Sequence, residues 1–304
     1  HRRDFTINTL AIRLDPQRWG ELLDFYGGRA DLEDGVIRVL HSLSFVDDPT
    51  RILRAARFEV RLGFQIDQRS EALIGEALPL LNRITGERIR HELDLIFEEA
   101  EPEAVLDRLE AFHALERIQP GLTSDAWLRE RFRRLRNRFI PMLEPWGLDP
   151  STDLSFLYWA LFTYRLSDKD FERLRNRLKL PARLAELHDA RTDVQARLDR
   201  IAVLDRPSAI AAQLDPCSLD DLALGWLVID DPEVQAKLEH YVSEWREVTP
   251  ILDGDDLKAM GFKPGPLFRE ILNTLRDARL DGVVHTREEE IALVEEQFGS
   301  EKRS

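Results

Sequence analysis

Beyond residue 48, apolar residues recur three or four apart, the spacing of helices that bury one face. Ile52, Ala55, Ala56 and Val60 predict a helix opening at Asp48-Pro49 and stopping at Gly63. Asp favours the cap, Pro the first helical position and Gly the terminating left-handed turn. Further helices are predicted over 69–81 and 86–99. Another opens at Pro102, with Val105, Leu109, Phe112 and Leu115 on its buried face. Residues 154–166 are apolar nearly all round, the pattern of a central buried helix. The first forty residues break this rhythm. They predict a short helix over 5–12, strands over 21–25 and 36–40, and a turn at Gly27-Gly28. The expected fold is mostly α, with a mixed α/β opening. The division is 1–40, a helical segment 41–100, a helical body 101–250 and a helical tail 251–304.

Composition narrows the class. With 43% hydrophobic and 33% charged residues, the 304-residue chain suits a globular protein. No run of eighteen apolar residues predicts a membrane span, and no basic-then-apolar leader opens the chain. The single Cys217 excludes an internal disulfide and offers no metal spacing, which fits a reducing cytoplasm. A net charge of −14 argues against a polyanionic partner for the chain as a whole. Locally the balance reverses: residues 129–138 set six arginines against one acid. Arg131, Arg133, Arg134 and Arg138 are candidate RNA-phosphate contacts there. Residues 171–183 add Arg173, Arg175, Arg177, Lys179 and Arg183. A solvated helix face with internal ion pairs explains either stretch equally well.

The candidate chemistry lies at the start of the helix after Asp48. Arg51, Arg54 and Arg57 fall on one helix face, with Asp48 a turn ahead. A carboxylate accepts from an exocyclic amino group while a guanidinium donates to a ring nitrogen. An Asp–Arg pair therefore matches the edges of adenine and cytosine and opposes guanine and uracil. The remaining arginines suit triphosphate oxygens. The alternative is an Asp48 that only caps the helix, with arginines paired to surface acids.

Motifs extend this reading. Arg2-Arg3-Asp4-Phe5-Thr6-Ile7-Asn8, followed by Thr9-Leu10-Ala11, resembles the RRDFTINALA signature of bacterial tRNA nucleotidyltransferases and their poly(A) polymerase relatives. Residues 24–32 resemble that family's DPxGGxxDL element, and Asp47-Asp48-Pro49-Thr50-Arg51 its EDxxR element, with Asp47 in place of the usual Glu. Glu87-Arg88-Ile89-Arg90-His91-Glu92-Leu93 resembles its ERIxxEL element. Four elements in order over the first third of the chain make the resemblance specific. It implies that residues 1–40 end an α/β nucleotidyltransferase head, that 41–100 form a base- and RNA-binding neck, and that body and tail follow. It implies nucleotide contact by Arg3 and Asp4, base reading by Asp48 and Arg51, and a pocket lined by Arg54 and Arg57. Glu87 and Arg88 would brace the neck.

The resemblance implies template-independent transfer of AMP to an RNA 3′ end, that of tRNA or another RNA. CMP transfer is an open alternative, so ATP or CTP is the expected substrate. Two Mg²⁺ ions would be held by an Asp-x-Asp pair in the head, ahead of the first motif. The chain opens at His1, so it is expected to be a C-terminal portion without those carboxylates and inactive alone. Asp230-Asp231 and Asp253-Gly254-Asp255 read as helix starts, not metal ligands. Residues 280–290 resemble the ending of long family members, which favours A addition. The turn 260–266 would hold a phosphate or simply join two helices. Trp127, Trp159, Trp226 and Phe156 are expected in the core, and His91 and His113 in helices without metal partners. Rival readings are a non-catalytic helical RNA-binding module and a helical scaffold.

Overall fold

The first β-pairing shows how tertiary demand overrides local pattern. The computed structural model describes residues 3–303, the side chains of 150–153 and 303 excepted; His1 and Arg2 of the first motif lie outside the described residues. Where a helix over 5–12 is expected, only a single 3₁₀ turn forms at Thr6–Thr9. Strand β1 (Ala11–Ile12) is drawn away to pair antiparallel with β2 (Leu22–Leu23). Helix α1 (Gly28–Glu33) follows; a Cβ on Gly28 would meet the Thr6 carbonyl oxygen at 2.3 Å, so only glycine allows this contact. The Thr6 hydroxyl donates to Asp31 at 2.6 Å and locks the same junction. Strand β3 (Val36–Ile37) runs parallel to β4 (Gln65–Ile66).

Between these strands lie α2 (Ser44–Asp47) and α3 (Arg51–Leu62). Helix α3 begins later than Asp48-Pro49 predicts, because Asp48 is extended and its amide still belongs to α2, donating to the Ser44 carbonyl. Its end is as expected: Gly63 takes φ +65° and its amide closes the last turn. Helix α4 (Gln68–Ala77) passes into a 3₁₀ segment that runs to Arg83, so the helix predicted over 69–81 is two elements. Then come α5 (Gly86–Phe97), α6 (Pro102–Ala111), α7 (Ala114–Ile118) and α8 (Ala126–Arg134). His113, expected inside a helix, instead turns the chain between α6 and α7 with φ +61°. The order continues with α9 (Pro150–Thr163), α10 (Asp168–Leu178), α11 (Ala182–Ile201) and α12 (Pro207–Leu214). It ends with α13 (Leu219–Val228), α14 (Pro232–His240), α15 (Gly254–Ala259), α16 (Pro266–Leu280) and α17 (Arg287–Phe298). No helix among the described residues is long and apolar enough to cross a membrane.

The chain forms two compact units, one of residues 1–140 and 150–189, the other of 141–149 and 190–304. In the first, Phe97 at the end of α5 is the hub of the core. Phe132, Trp159, Tyr158 and Phe162 surround it with centroids 5.1–6.0 Å away, mostly edge to face. Trp159 also donates from its indole to Asp94 at 2.6 Å, tying α9 to α5. Trp159 and Phe156 are buried as expected. Trp127 is only half-buried, stacked on Tyr164 beneath the guanidinium of Arg165. In the second unit Trp226 is fully buried and donates to Glu239. The acids read as helix starts are that: Asp231 caps α14, and Asp253 forms a reciprocal capping box with Asp256 on α15. Fully buried Glu290 accepts from the amides of Ile251 and Leu252 and pairs with Arg279, pinning the segment that leads into α15.

Helix α5 is set in place by a backbone approach. A Cβ on Gly86 would lie 1.6 Å from the Arg177 carbonyl oxygen in α10. The Arg177 guanidinium donates to the carbonyls of Leu81 and Ile118, closing the same joint. Gly86→Ala should therefore lower stability by at least about 2 kcal/mol. Urea denaturation of the variant checks this, and an unchanged midpoint would refute the close approach.

Candidate functional site

The opening segment, the start of α3 and the face of α5 enclose a cavity of about 540 Å³. Its walls carry Arg3, Asp4, Asp48, Thr50, Arg51, Arg54, Glu87, Arg88, His91 and Glu92. The cavity is thus lined almost wholly by charged groups, four of them guanidinia. The long helices hold them in register: residues three apart on α3 face one side, and so do Arg88 and Glu92 on α5.

Asp48 occupies the elbow between α2 and α3. Its Oδ1 accepts from the Thr50 amide at 3.1 Å and the Thr50 hydroxyl at 2.7 Å, which fixes the carboxylate plane. Arg88 reaches across from α5, and its Nη2 donates to both carboxylate oxygens at 2.8 Å. Arg88, expected only to brace the neck, is therefore part of the cavity wall. Arg51 is 7% exposed and donates from Nη1 to the Ser44 hydroxyl at 2.6 Å and carbonyl at 3.3 Å.

Deeper in the wall, Arg54 joins three elements. It donates to Asp4 Oδ2 from Nε at 2.8 Å and from Nη2 at 2.5 Å, and it faces Glu92 at 3.5 Å. Burial alone would raise the Asp4 carboxyl. The Asn8 amide, the Arg54 guanidinium and the Phe5 amide together outweigh it and hold Asp4 below its ordinary range. Burial would likewise lower Arg54, but Asp4 and Glu92 raise it above its usual value. Arg57, expected to line the pocket, does not. It lies one turn further along α3, 8% exposed, between Glu92 at 3.7 Å and Glu99 at 3.4 Å. Arg54 and Arg57 thus meet acids rather than open solvent: Asp4 of the opening segment, Glu92 of α5 and Glu99 just past its end.

The basic stretch at 129–138 is not one solvent face. Arg131 and Arg134 are buried, because they share the inward side of α8 with Leu128, Phe132 and Leu135. Neither offers its guanidinium outward for a phosphate. Arg136 forms a two-pronged pair with Glu103 at 2.7 and 2.8 Å, and Arg129 binds Asp107. Arg133 and Arg138 are exposed. In α10, Arg173 pairs with Asp170 and Arg175 with Glu172, the internal ion pairs that the charge pattern allowed.

Thr50, Ser44 and Glu92 belong to the site without standing out in the sequence, and His91, read there only as a helical histidine without metal partners, lines the cavity as well. Thr50 carries a signal, since a hydroxyl two residues after an Asp commonly closes a side-chain turn. Glu92 stands inside the quoted ERIxxEL element. Ser44 carries none; only the fold brings it under Arg51. No group of three or more His, Cys, Asp or Glu among the described residues is placed to hold a metal. Of the four cavity carboxylates, Asp4, Glu92 and Asp48 each already face an arginine.

Comparison with known proteins places the chain among nucleotide-adding enzymes by similarity. Residues 1–38 match the description "Poly A polymerase head domain", and residues 63–125 match "Probable RNA and SrmB-binding site of polymerase A". The A-adding tRNA nucleotidyltransferase of Geobacter sulfurreducens is 34% identical over 96% of this chain, which spans only 34% of that relative's length. The A-adding tRNA nucleotidyltransferase of Halalkalibacterium halodurans is 30% identical over 98% of this chain and 67% of its own. Among solved structures, the Thermotoga maritima CCA-adding enzyme complexed with tRNA is 31% identical, with a TM-score of 0.80 over 96% of this chain and 72% of that one. A complex of a CCA-adding enzyme with ATP is 32% identical, with a TM-score of 0.80 over 97% and 70%.

The Asp4–Arg54 pair makes a pH-dependent prediction. A depressed carboxyl contributes stability that is present above its ordinary value of 3.8 and lost as pH falls through the lower folded value. Asp4→Asn should cost on the order of 2 kcal/mol at neutral pH. Urea unfolding at neutral and strongly acidic pH should show the difference at the first and not the second. An equal deficit at both would contradict the assignment.

Proposed function

Because the chain belongs to the tRNA nucleotidyltransferase and poly(A) polymerase family, we propose that it supplies base reading and RNA binding for template-independent transfer of AMP to the 3′ end of tRNA. The observation that carries this reading is the placement of Asp48 and Arg51 on one wall of a cavity shared with further guanidinia. Asp48 Oδ2 accepts the amino hydrogen of adenine while Arg51 donates to its ring nitrogen. Guanine presents the opposite polarity and leaves both protein groups unpaired, which is where the discrimination arises. Arg3, exposed at the cavity, and Arg54, aligned by Asp4 and Glu92, take the triphosphate side. Thr50 holds the Asp48 carboxylate in its reading plane, so little ordering is left to the moment of binding.

AMP is taken as the transferred group from the A-adding relatives, while CCA-adding relatives and structures align over about as much of this chain. A cytosine edge would satisfy the same two groups, so the choice between them rests on product analysis. The donor set on the cavity wall does not fit a metal pair.

The full-length protein should extend tRNA ending in two cytidines with labelled ATP and leave a tRNA lacking them unextended with CTP. CMP incorporation on the shorter tRNA would make it a CCA-adding enzyme instead. Asp48→Asn should narrow its preference for ATP over GTP by roughly tenfold to a hundredfold. An unchanged preference would remove Asp48 as the reader. Salt-sensitive RNA binding without nucleotide binding would favour the non-catalytic module.

A further inference from the structure

Arg88 stands where a base edge would have to bind. Its Nη2 lies 2.8 Å from both oxygens of Asp48 and 3.4 Å from the Thr50 hydroxyl. The two oxygens are not equivalent. Oδ1 is anchored by the Thr50 amide and hydroxyl, so the carboxylate keeps its orientation whether Arg88 is present or not. Oδ2 has no such bond to its own helix start and faces Arg88. A guanidinium N–H on that oxygen is the same donor, on the same acceptor, as the exocyclic amino group of adenine.

We propose that Arg88 is a built-in competitor for the base-reading carboxylate, occupying Asp48 in the nucleotide-free protein and yielding it to the 6-amino group of adenine or the 4-amino group of cytosine. The proposal rests on the reading of Asp48 and Arg51 given above. Three observations support it. Arg88 and Asp48 sit on different elements, α5 and the elbow before α3, so parting them needs only the swing of one long side chain. The Arg88 side chain is 51% exposed, so its ion pair is weak and screened by salt, and a bound base can displace it. The partner arginine of the reader, Arg51, is by contrast 7% exposed and fixed on Ser44, so the movable half of the site is the half that Arg88 covers.

Adenine or cytosine replaces one N–H with another and leaves Asp48 satisfied. In the same pose guanine turns O6, and uracil O4, toward Asp48, so the carboxylate that Arg88 has left stays unpaired. The cost of parting Arg88 from Asp48 falls on every base alike.

The test is steady-state AMP transfer by the full-length protein, with Arg88→Met, Arg88→Lys and Asp48→Asn measured in parallel. Arg88→Met should lower KM for ATP by roughly two- to fivefold, the weight of an exposed ion pair, with kcat within about twofold. Its preference for ATP over GTP should stay within about twofold, because the cost of parting Arg88 from Asp48 falls on either base. Arg88→Lys keeps a cation on Asp48 and should stay near the parent values. A raised or unchanged KM for ATP in Arg88→Met, with Asp48→Asn narrowing the base preference, overturns the role of Arg88 alone. An Asp48→Asn that leaves the base preference intact overturns the reading beneath it. A second measurement needs no variant. The affinity of the unaltered protein for adenosine, which carries no charge, should rise with ionic strength as the Asp48–Arg88 pair is screened. A flat or falling affinity overturns the proposal.

Discussion

The ion pair between Asp4 and Arg54 is the contact on which the site depends. Asp4 belongs to the opening segment, Arg54 to α3, and Glu92, on the other side of Arg54, to α5. Three pieces far apart in sequence meet at one guanidinium. Its planar fork suits the task, since it presents donors in two directions at fixed angles. Removing any one partner would leave a buried charge unmatched, which costs far more than the pair contributes as an isolated contact. Neighbouring apolar packing points the same way: Phe5 is fully buried and meets Phe58 of α3 edge to face at 5.8 Å.

Around that joint the cavity shows a division between fixed and movable groups. Arg54 and Arg51 are held by buried partners, and Thr50, itself buried, is held by Asp48. Arg3, Glu87 and Arg88 are exposed. A rigid floor gives the reading of a base edge its discrimination, while exposed side chains at the mouth allow entry and release. The helix start does the fixing. Asp48 is extended, so its side chain turns back onto Thr50 instead of running along the helix.

Charge along the chain was easy to see and hard to place. The arginines of α3 recur at helical spacing, and that spacing is visible in the letters. Whether they face phosphate, solvent or acid depends on what packs opposite, and here α5 and the turn after it bring Glu92 and Glu99. The same holds at 129–138, where Arg131 and Arg134 lie on the inward side of α8 and Glu103 of α6 takes Arg136. Periodicity gives the face on which a side chain lies but not the neighbour that covers the face.

By itself the sequence determined the helical character, the stop at Gly63, the acid caps of α14 and α15, and the motif residues Arg3, Asp4, Asp48 and Arg51 that gather at the cavity. These are local properties: glycine's freedom at positive φ, a carboxylate's fit to free amides, and residue types at fixed spacing. Tertiary structure alone decided that Arg88 meets Asp48, that Ser44 holds Arg51, that Arg57 turns from the cavity, and that 5–12 is mostly not helical. Each of those depends on a partner from another element. Pairing energies between distant residues exceed the fraction of a kilocalorie by which local propensity favours one conformation over another.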